Sequence, residues 1–536
     1  MFKKNYIIKI NLPGGIVAAG DLYAIAEAAT RARVEDMQFG ARQQLFCKVA
    51  DRFGEAFLRE LDNAGIFYET EKEHYPNIIS SYVSEGVFGR SAWLSEGLYK
   101  DILEGFDFRP RLKINLVEDG QSFVPFFTGH LNFISSSLNN HWHLTVRLPG
   151  TNRLFQWKTV IYSPDIPRIS RLIEEALLPA PADAKTSASP APSAAKAPAA
   201  SQAPDQWFHQ LYDHVAASFT HNPAPPPLRL PSTGVPYYEG FNRAGSKHWL
   251  GIYRREELFA PDFLKEVCLL ALHTKIGQLY TTPWKSLLIK GIEEGDLNRW
   301  EYILGKYRIN VRHASNELNW QTEDLNPEGL RLKRYLIRQL DQDDVRTQGL
   351  TFAIKMQQGP GLPGSIVIRK SENPKAKKLD RYSIWHTPDF DPYTMETVLY
   401  REDLGKETLY PYIVSLCKEF YRRQSEHLSA VPDVAPSSSG QDAEKDTYHC
   451  IHCLTAYSRE YGDPAQDIQP GIPFEALPDH WSCPVCDAPK SDYTLTPFVC
   501  PANSRNLSAS TSSISFPETL MIPAVVNSAN SLKTVS

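Results

Sequence analysis

Cysteine is scarce in this chain of 536 residues, which has eight, and Cys47, Cys268, Cys417 and Cys500 stand apart from close Cys-x-x-Cys pairs. Long apolar runs are missing too. Stretches such as Val267–Leu272 fall well short of the ~20 residues that cross a bilayer, so no membrane partner is expected. Residues 1–10 carry early lysines but no long apolar region or small-residue cleavage site, and they read as a first strand rather than a signal peptide. Without a secretory signal the expected location is cytoplasmic, disulfides are not expected, and the sequon at Asn506 reads as chance. No glycine-rich phosphate loop or dinucleotide fingerprint is present, which argues against bound NAD or flavin. No spacing of Asp, His and Ser singles out a hydrolase. A strong charge of one sign is also lacking, the net being −5. One basic run, Lys370–Arg381, reads as a solvated loop, and no nucleic-acid partner is expected.

Two stretches lack large apolar residues or are rich in Pro and Ser, and they divide the chain. Residues 179–204 are almost entirely Ala, Pro and Ser, cannot bury a core, and read as a solvated linker. Residues 429–445 form a second linker, able as a flexible chain to span roughly 20–25 Å. The expected organisation is a first α+β unit over 1–178, a second over 205–428, a small domain over 446–500 and a disordered tail over 501–536.

The close cysteine pairs are Cys450-Ile-His-Cys453 and Cys483-Pro-Val-Cys486. A Cys-x-x-Cys turn places two sulfurs on one small loop, and two such knuckles can converge on one tetrahedral metal. Four soft thiolates accept iron or zinc, so the geometry alone leaves both open. The surrounding residues say more. Tyr461-Gly-Asp-Pro464, Gly471-Ile-Pro-Phe-Glu-Ala-Leu-Pro-Asp-His-Trp481 and Cys483-Pro-Val-Cys-Asp-Ala-Pro-Lys490 closely resemble the rubredoxin family, over residues 446–498. The resemblance implies a one-electron carrier with a single iron on Cys450, Cys453, Cys483 and Cys486, and no inorganic sulfide. Tyr448, Tyr457, Phe474, Trp481 and Tyr493 would form the core of a domain too small to be stable without metal. Leu454 and Asp487 stand where rubredoxins usually carry Gly in a left-handed backbone. Leu costs on the order of 1–2 kcal/mol there, against on the order of 10 kcal/mol from metal binding, so tuning is affected more than binding. Residues 446–500 hold eight acidic and two basic side chains, a net of −6, which suits a redox partner protein with a basic docking surface.

The larger part of the chain reads as a duplication. Asp21–Thr30 is spaced as an amphipathic helix with Asp21 as N-cap, Met37–Val49 reads as strand, turn and strand, and a helix near Phe53–Ala64 follows. Pro261–Leu272, Leu279–Ile289 and Leu297–Leu304 repeat the order. With Phe39-Gly-Ala-Arg-Gln-Gln44 and its looser copy Thr282-Pro-Trp-Lys-Ser286, these units resemble the ferredoxin-like half domains of siroheme nitrite and sulfite reductases, over residues 5–170 and 245–370. That resemblance implies basic residues facing tetrapyrrole carboxylates, with Arg42 the first candidate and Arg111 and Lys113 weaker ones. The family's four-iron cluster takes four cysteines in two close pairs, and none is available here outside the rubredoxin-like region, so no 4Fe-4S cluster is expected. His141-Trp-His143 would point two imidazoles one way but has no third ligand nearby.

The fold expected is therefore α+β: duplicated ferredoxin-like, nitrite/sulfite reductase-type units followed by a small metal-stabilised rubredoxin-like domain. The function expected is one-electron transfer, with the body a degenerate reductase scaffold for which siroheme is not the favoured ligand. The alternatives are a non-redox assembly or regulatory protein with structural zinc, and an atypical siroheme-type nitrite or sulfite reductase.

Overall fold

The structure is a computed structural model. It describes residues 5–70, 74–89, 91, 93–178, 204–219, 223–231, 233–311, 316–357, 359, 362–371 and 380–429, and in the C-terminal part 448–450, 456–457, 459, 463, 466, 468–469, 471–484 and 488–495. Almost all of both linkers, the tail, Leu454 and Asp487 fall outside those residues. The chain divides into two compact units, Met1–Ala435 and Pro436–Ser536.

The first unit opens with β1 (Asn5–Ile10), β2 (Ile16–Ala18), α1 (Ala19–Arg31), β3 (Met37–Phe39), β4 (Leu45–Ala50), α2 (Asp51–Asn63) and β5 (Tyr68–Thr70). An open sheet follows, made from β6 (Ile79–Ser80), β7 (Ile114–Val117), β8 (Leu131–Ser135), β9 (His141–Arg147), β10 (Leu154–Gln156) and β11 (Ile161–Tyr162). Helix α3 (Glu96–Glu104) connects β6 to β7, and α4 (Ile166–Leu177) ends this half. After α5 (Pro204–Ala216) the plan returns. It comprises β12 (Gly240–Ala244), β13 (Lys247–Ile252), α6 (Pro261–His273), β14 (Gln278–Thr281), β15 (Leu287–Ile292) and α7 (Leu297–Lys306). Then come β16 (Trp320–Thr322), α8 (Pro327–Gln342), β17 (Phe352–Lys355), β18 (Ile366–Ser371), β19 (Arg381–His386), β20 (Val398–Leu404) and α9 (Leu409–Ser429).

The repeat extends to topology. β6-β7-β8-β9-β10 and β16-β17-β18-β19-β20 have the same order, with two parallel pairings followed by two antiparallel ones. The turns named from sequence also coincide. Gly40 N donates to Gln44 O and Gln43 N to Gly40 O (2.8 and 2.9 Å), while Thr282 N donates to Ser286 O and Lys285 N to Thr282 O (both 3.1 Å). Arg42 and Trp284 are thus counterparts.

The copies are interlocked. β2, which precedes α1, joins the sheet of the second copy through β14, pairing Val17 with Leu279. Reciprocally, Phe259, which precedes α6, exchanges both backbone hydrogen bonds with Met37 of β3, each 2.8 Å long. Helix α1 lies against α6, with Lys265 Nζ 2.6 Å from Glu27, and one apolar core collects Leu22, Phe39 and Phe57 with Phe263, Leu287 and Trp300. The N-cap of α1 is Ala18, not Asp21. The chain enters the helix straight from the extended β2, which leaves Asp21 in the first turn, favourably placed against the helix dipole.

The C-terminal unit contains β21 (Tyr448–Cys450) between β22 (Ala456–Tyr457) and β23 (Tyr493–Leu495). Among the described residues no helix is long and apolar enough to cross a membrane.

Candidate metal centre

Cys450 ends the central strand β21, opposite Tyr493 in register, and its side chain is fully buried. Cys483, also fully buried, begins the second knuckle, whose base is closed where Cys483 N donates to Ala488 O (2.8 Å) and Ser482 bridges Pro489. Both thiols belong to one small core with Tyr457, Ile468, Phe474, Leu477, Trp481 and Tyr493. Their knuckle partners Cys453 and Cys486 lie outside the described residues.

Aromatic packing builds this core, as the sequence predicts. Tyr448 stacks on Phe474 with centroids 4.1 Å apart, Trp481 meets Tyr493 edge-on at 5.1 Å, and Tyr457 meets Trp481 at 5.6 Å. The indole Nε1 of Trp481 donates to Asp463 Oδ2 (3.0 Å), and Asp463 is pinned by two backbone bonds with Ile468 (2.9 Å each). Lys490 Nζ donates to the carbonyls of Glu475 and Leu477 (3.0 and 2.6 Å), tying the segment after the second knuckle to the one before it. A cluster of this size does not offset the entropy of ordering its own chain. Soft sulfur donors, two of them buried within it, fit a thiolate-loving metal that supplies the difference.

The body's candidate residues stand elsewhere. Arg42 is buried, and its guanidinium donates to Asn77 O (3.1 and 2.7 Å), Ile114 O (2.9 Å) and Asn115 Oδ1 (3.3 Å), joining the ferredoxin-like layer to the open sheet. Arg111 pairs with Glu174 (3.1 Å), whose other oxygen takes the amides of Arg111 and Leu112. Lys113 is half-buried and its amide donates to His130 Nδ1 (3.1 Å). Burial, and then the charges of Arg147, Lys113 and Arg42, push His130 down to about 3, so it is neutral at physiological pH. The structure thus gathers Arg42, Lys113, His130 and Arg147 into one electropositive neighbourhood, whereas Arg111 is tied to Glu174.

Cys47, Cys268 and Cys417 are buried in apolar cores, and burial pushes each thiol up to about 12. His143 is buried, and burial lowers its pKa, while His141 Nδ1 sits 2.8 Å from Asn139 O. Among the described residues no group of three His, Cys, Asp or Glu is arranged to hold a metal.

Sequence reasoning missed a buried charge network around the second copy's turn. Lys285 Nζ donates to Glu257 (2.8 Å) and Thr322 (3.2 Å) and lies 3.4 Å from Asp324, and Lys333 adds a second cation 3.4 Å from Glu257. Gln38, Ala41 and Gln44 of the first copy donate to Glu257 and Asp324, so these charges fasten one copy to the other. The alignment of Gln43 with Lys285 was the available signal, since a duplicated turn had acquired a charge.

A duplicated α+β body and a second compact unit with two buried thiols in a small aromatic core define a multidomain protein with a small cysteine-bearing C-terminal module. Residues 447–493 match the rubredoxin family. The chain is 39% identical over 62 residues to Rubredoxin-1 of Chlorobaculum tepidum, covering 12% of this chain and 90% of that protein. It is 49% identical over 47 residues to Rubredoxin-2 of the same organism, covering 9% and 90%. Through this module the chain belongs to the rubredoxin family, whose domain carries one iron on cysteines and transfers electrons. The body is similar in fold to the NirA protein of Mycobacterium tuberculosis. The match has a TM-score of 0.54 and 13% identity, and it covers 78% of this chain and 81% of that one.

Proposed function

We propose that this protein passes single electrons through an iron held by Cys450, Cys453, Cys483 and Cys486, and that its body is a reductase-like scaffold without a four-iron cluster. The observation that carries the reading is the burial of Cys450 and Cys483 in one aromatic core within a rubredoxin match. Iron held by these four thiolates would supply one-electron chemistry between its ferric and ferrous forms. The residues around it do the rest. Trp481, Tyr493 and Phe474 share the apolar core of Cys450 and Cys483, and Asp463 fixes the indole by accepting its hydrogen bond.

A degenerate body is supported by where its best cations are spent. Arg42 is committed to carbonyls and Arg111 to Glu174, while Cys47, Cys268 and Cys417 are protonated in apolar cores. The module, with its −6 charge, would exchange electrons with a partner protein that presents a basic docking surface. The organisation we propose keeps the linkers at 179–204 and 429–445, and cytoplasmic residence fits this chemistry.

The test is the visible spectrum of the full chain purified from iron-replete cells that make siroheme, with metal and acid-labile sulfide measured. Ferric-thiolate bands with one iron and no sulfide are the expected result. A featureless spectrum with stoichiometric zinc would overturn the electron-transfer reading. A Soret band with nitrite or sulfite turnover would overturn the degenerate body.

A further inference from the structure

The two copies of the open sheet share one topology but differ in charge at the last paired step of one parallel pair. In the first copy the parallel pair β7–β8 ends with Val117 opposite Ile134, both wholly buried. The same register in the second copy ends β17–β18 with Lys355 opposite Arg369. Two apolar residues of one copy are thus two cations in the other, at the carboxyl ends of parallel strands, where open α/β sheets place their ligands. Like charges on directly paired residues destabilise a sheet, and burial adds to that cost.

Nearby carboxylates do not neutralise this pair. Glu323 acts on Lys355 and is held in place by the amides of Met356 and Gln357 (3.1 and 3.0 Å) and the Asn326 side chain (3.1 Å), but its single negative charge stands against both cations of the pair. Arg147 adds a further positive charge to Lys355. Lys355 is 7% exposed and donates to the Gly359 carbonyl. Arg369 reaches Thr397 Oγ1 through Nη2 (2.9 Å) and lies over the Trp385 ring (4.5 Å), but its Nε is buried with no partner. Burial lowers the pKa of both cations, as expected where the counter-charge has not been supplied.

Both side chains line one cleft of about 20 Å³, together with Asn152, Thr387 and Thr397. A second cleft of about 40 Å³, walled by Phe126, Trp284 and Tyr393, shares Pro363, Pro392 and Met395 with the first. The cationic cleft therefore abuts an apolar one, with Pro363, Pro392 and Met395 as their common wall. The enclosed space takes a handful of heavy atoms and is far too small for a macrocycle.

We propose that Lys355 and Arg369 bind the carboxylate of a small apolar acid, with its hydrocarbon end against Phe126, Tyr393 and Met395. Arg369 Nε and the lysine ammonium are the donors for the carboxylate, and Asn152 contributes a third once its amide turns to present Nδ2.

The test is titration calorimetry on the full chain with isobutyrate, its neutral isostere isobutyramide and inorganic phosphate. The expected result is isobutyrate binding with a Kd on the order of 1 mM or tighter, and isobutyramide at least about tenfold weaker. Arg369→Gln and Lys355→Met should each weaken isobutyrate about tenfold or more. Lys355→Met removes a buried cation and is expected to raise the Tm, which confirms folding independently of binding. Equal binding of amide and acid, unchanged affinity in both folded variants, binding of phosphate alone, or no isobutyrate binding up to about 10 mM would each overturn the assignment.

Discussion

Gln43 and Lys285 occupy the same step of the same turn, both left-handed at φ 59° and 55°, in the two copies of one unit. The backbone has been kept and the chemistry has not. Gln43 Nε2 donates to Ser80 O and to Thr281 O of the other copy (3.2 and 3.0 Å), whereas Lys285 enters the charge network of Glu257, Lys333 and Asp324.

That network gives a pH-dependent prediction. Burial works to raise the pKa of Glu257, but Lys285 and Lys333 overcome it and hold the carboxyl below its ordinary 4.5. A depressed carboxylate contributes stability above the unfolded value and loses it as pH falls through the folded one. Glu257→Gln should therefore cost about 3–5 kcal/mol at pH 7. The gap from the parent should shrink at pH values below 4.5, read from urea denaturation at both pH values. An equal gap at both would show that Glu257 acts through packing alone.

Cys450→Ser and Cys483→Ser should each abolish stable iron binding and unfold the C-terminal module while leaving the body's melting transition in place. The lost metal contribution is on the order of 10 kcal/mol, more than so small a core can replace. Iron content and separate calorimetric transitions check this. One iron per chain in either variant would contradict the ligand assignment.

Asp463→Ala removes the acceptor of the Trp481 indole and leaves a buried donor unmatched, at a cost of about 1–3 kcal/mol. The visible iron–thiolate absorption should bleach at a lower temperature than in the parent, with the same absorption maxima beforehand. Unchanged thermal bleaching would mean the indole is satisfied in another way.

Arg42→Lys should lower the stability of the body, because a single ammonium cannot reach the three acceptors that the guanidinium fork spans between Asn77, Ile114 and Asn115. The expected loss is about 1.5–3 kcal/mol, with no change in the visible spectrum of the full chain. Loss of a pigment without loss of stability would return Arg42 to a cofactor role.

Electron exchange with a basic partner should slow as salt rises from about 0.01 to 0.15 M, where the Debye length shrinks from about 30 to 8 Å. A rate that is flat across that range would remove the acidic surface of residues 446–500 from docking.

What could be read from the sequence was local. The aromatics of the C-terminal module, the helix–strand–strand repeats and the shared turn are all written in short spacings, and the structure keeps them, while half of each knuckle lies outside the described residues. Asp21 was misassigned because the pattern of α1 says nothing of β2, whose partner Leu279 lies about 260 residues away. The role of Arg42 was hidden for the same reason, since its acceptors are Asn77, just before β6, and Ile114, in β7 of another sheet. The Lys355–Arg369 pair needs the register of two strands before it appears as a pair at all.

The exchange of β2 and Phe259 between copies bears on how the chain is born. The partner helix of α1, α6, is complete only after His273 has left the ribosome, about 200 residues beyond the end of β5. At ~5–20 residues per second, the first copy waits roughly 10–40 s with its α6-facing side bare. A nascent chain in that interval exposes an apolar helix face, and a holding chaperone or a slowed elongation rate there would change the yield of protein without changing one contact in the finished molecule.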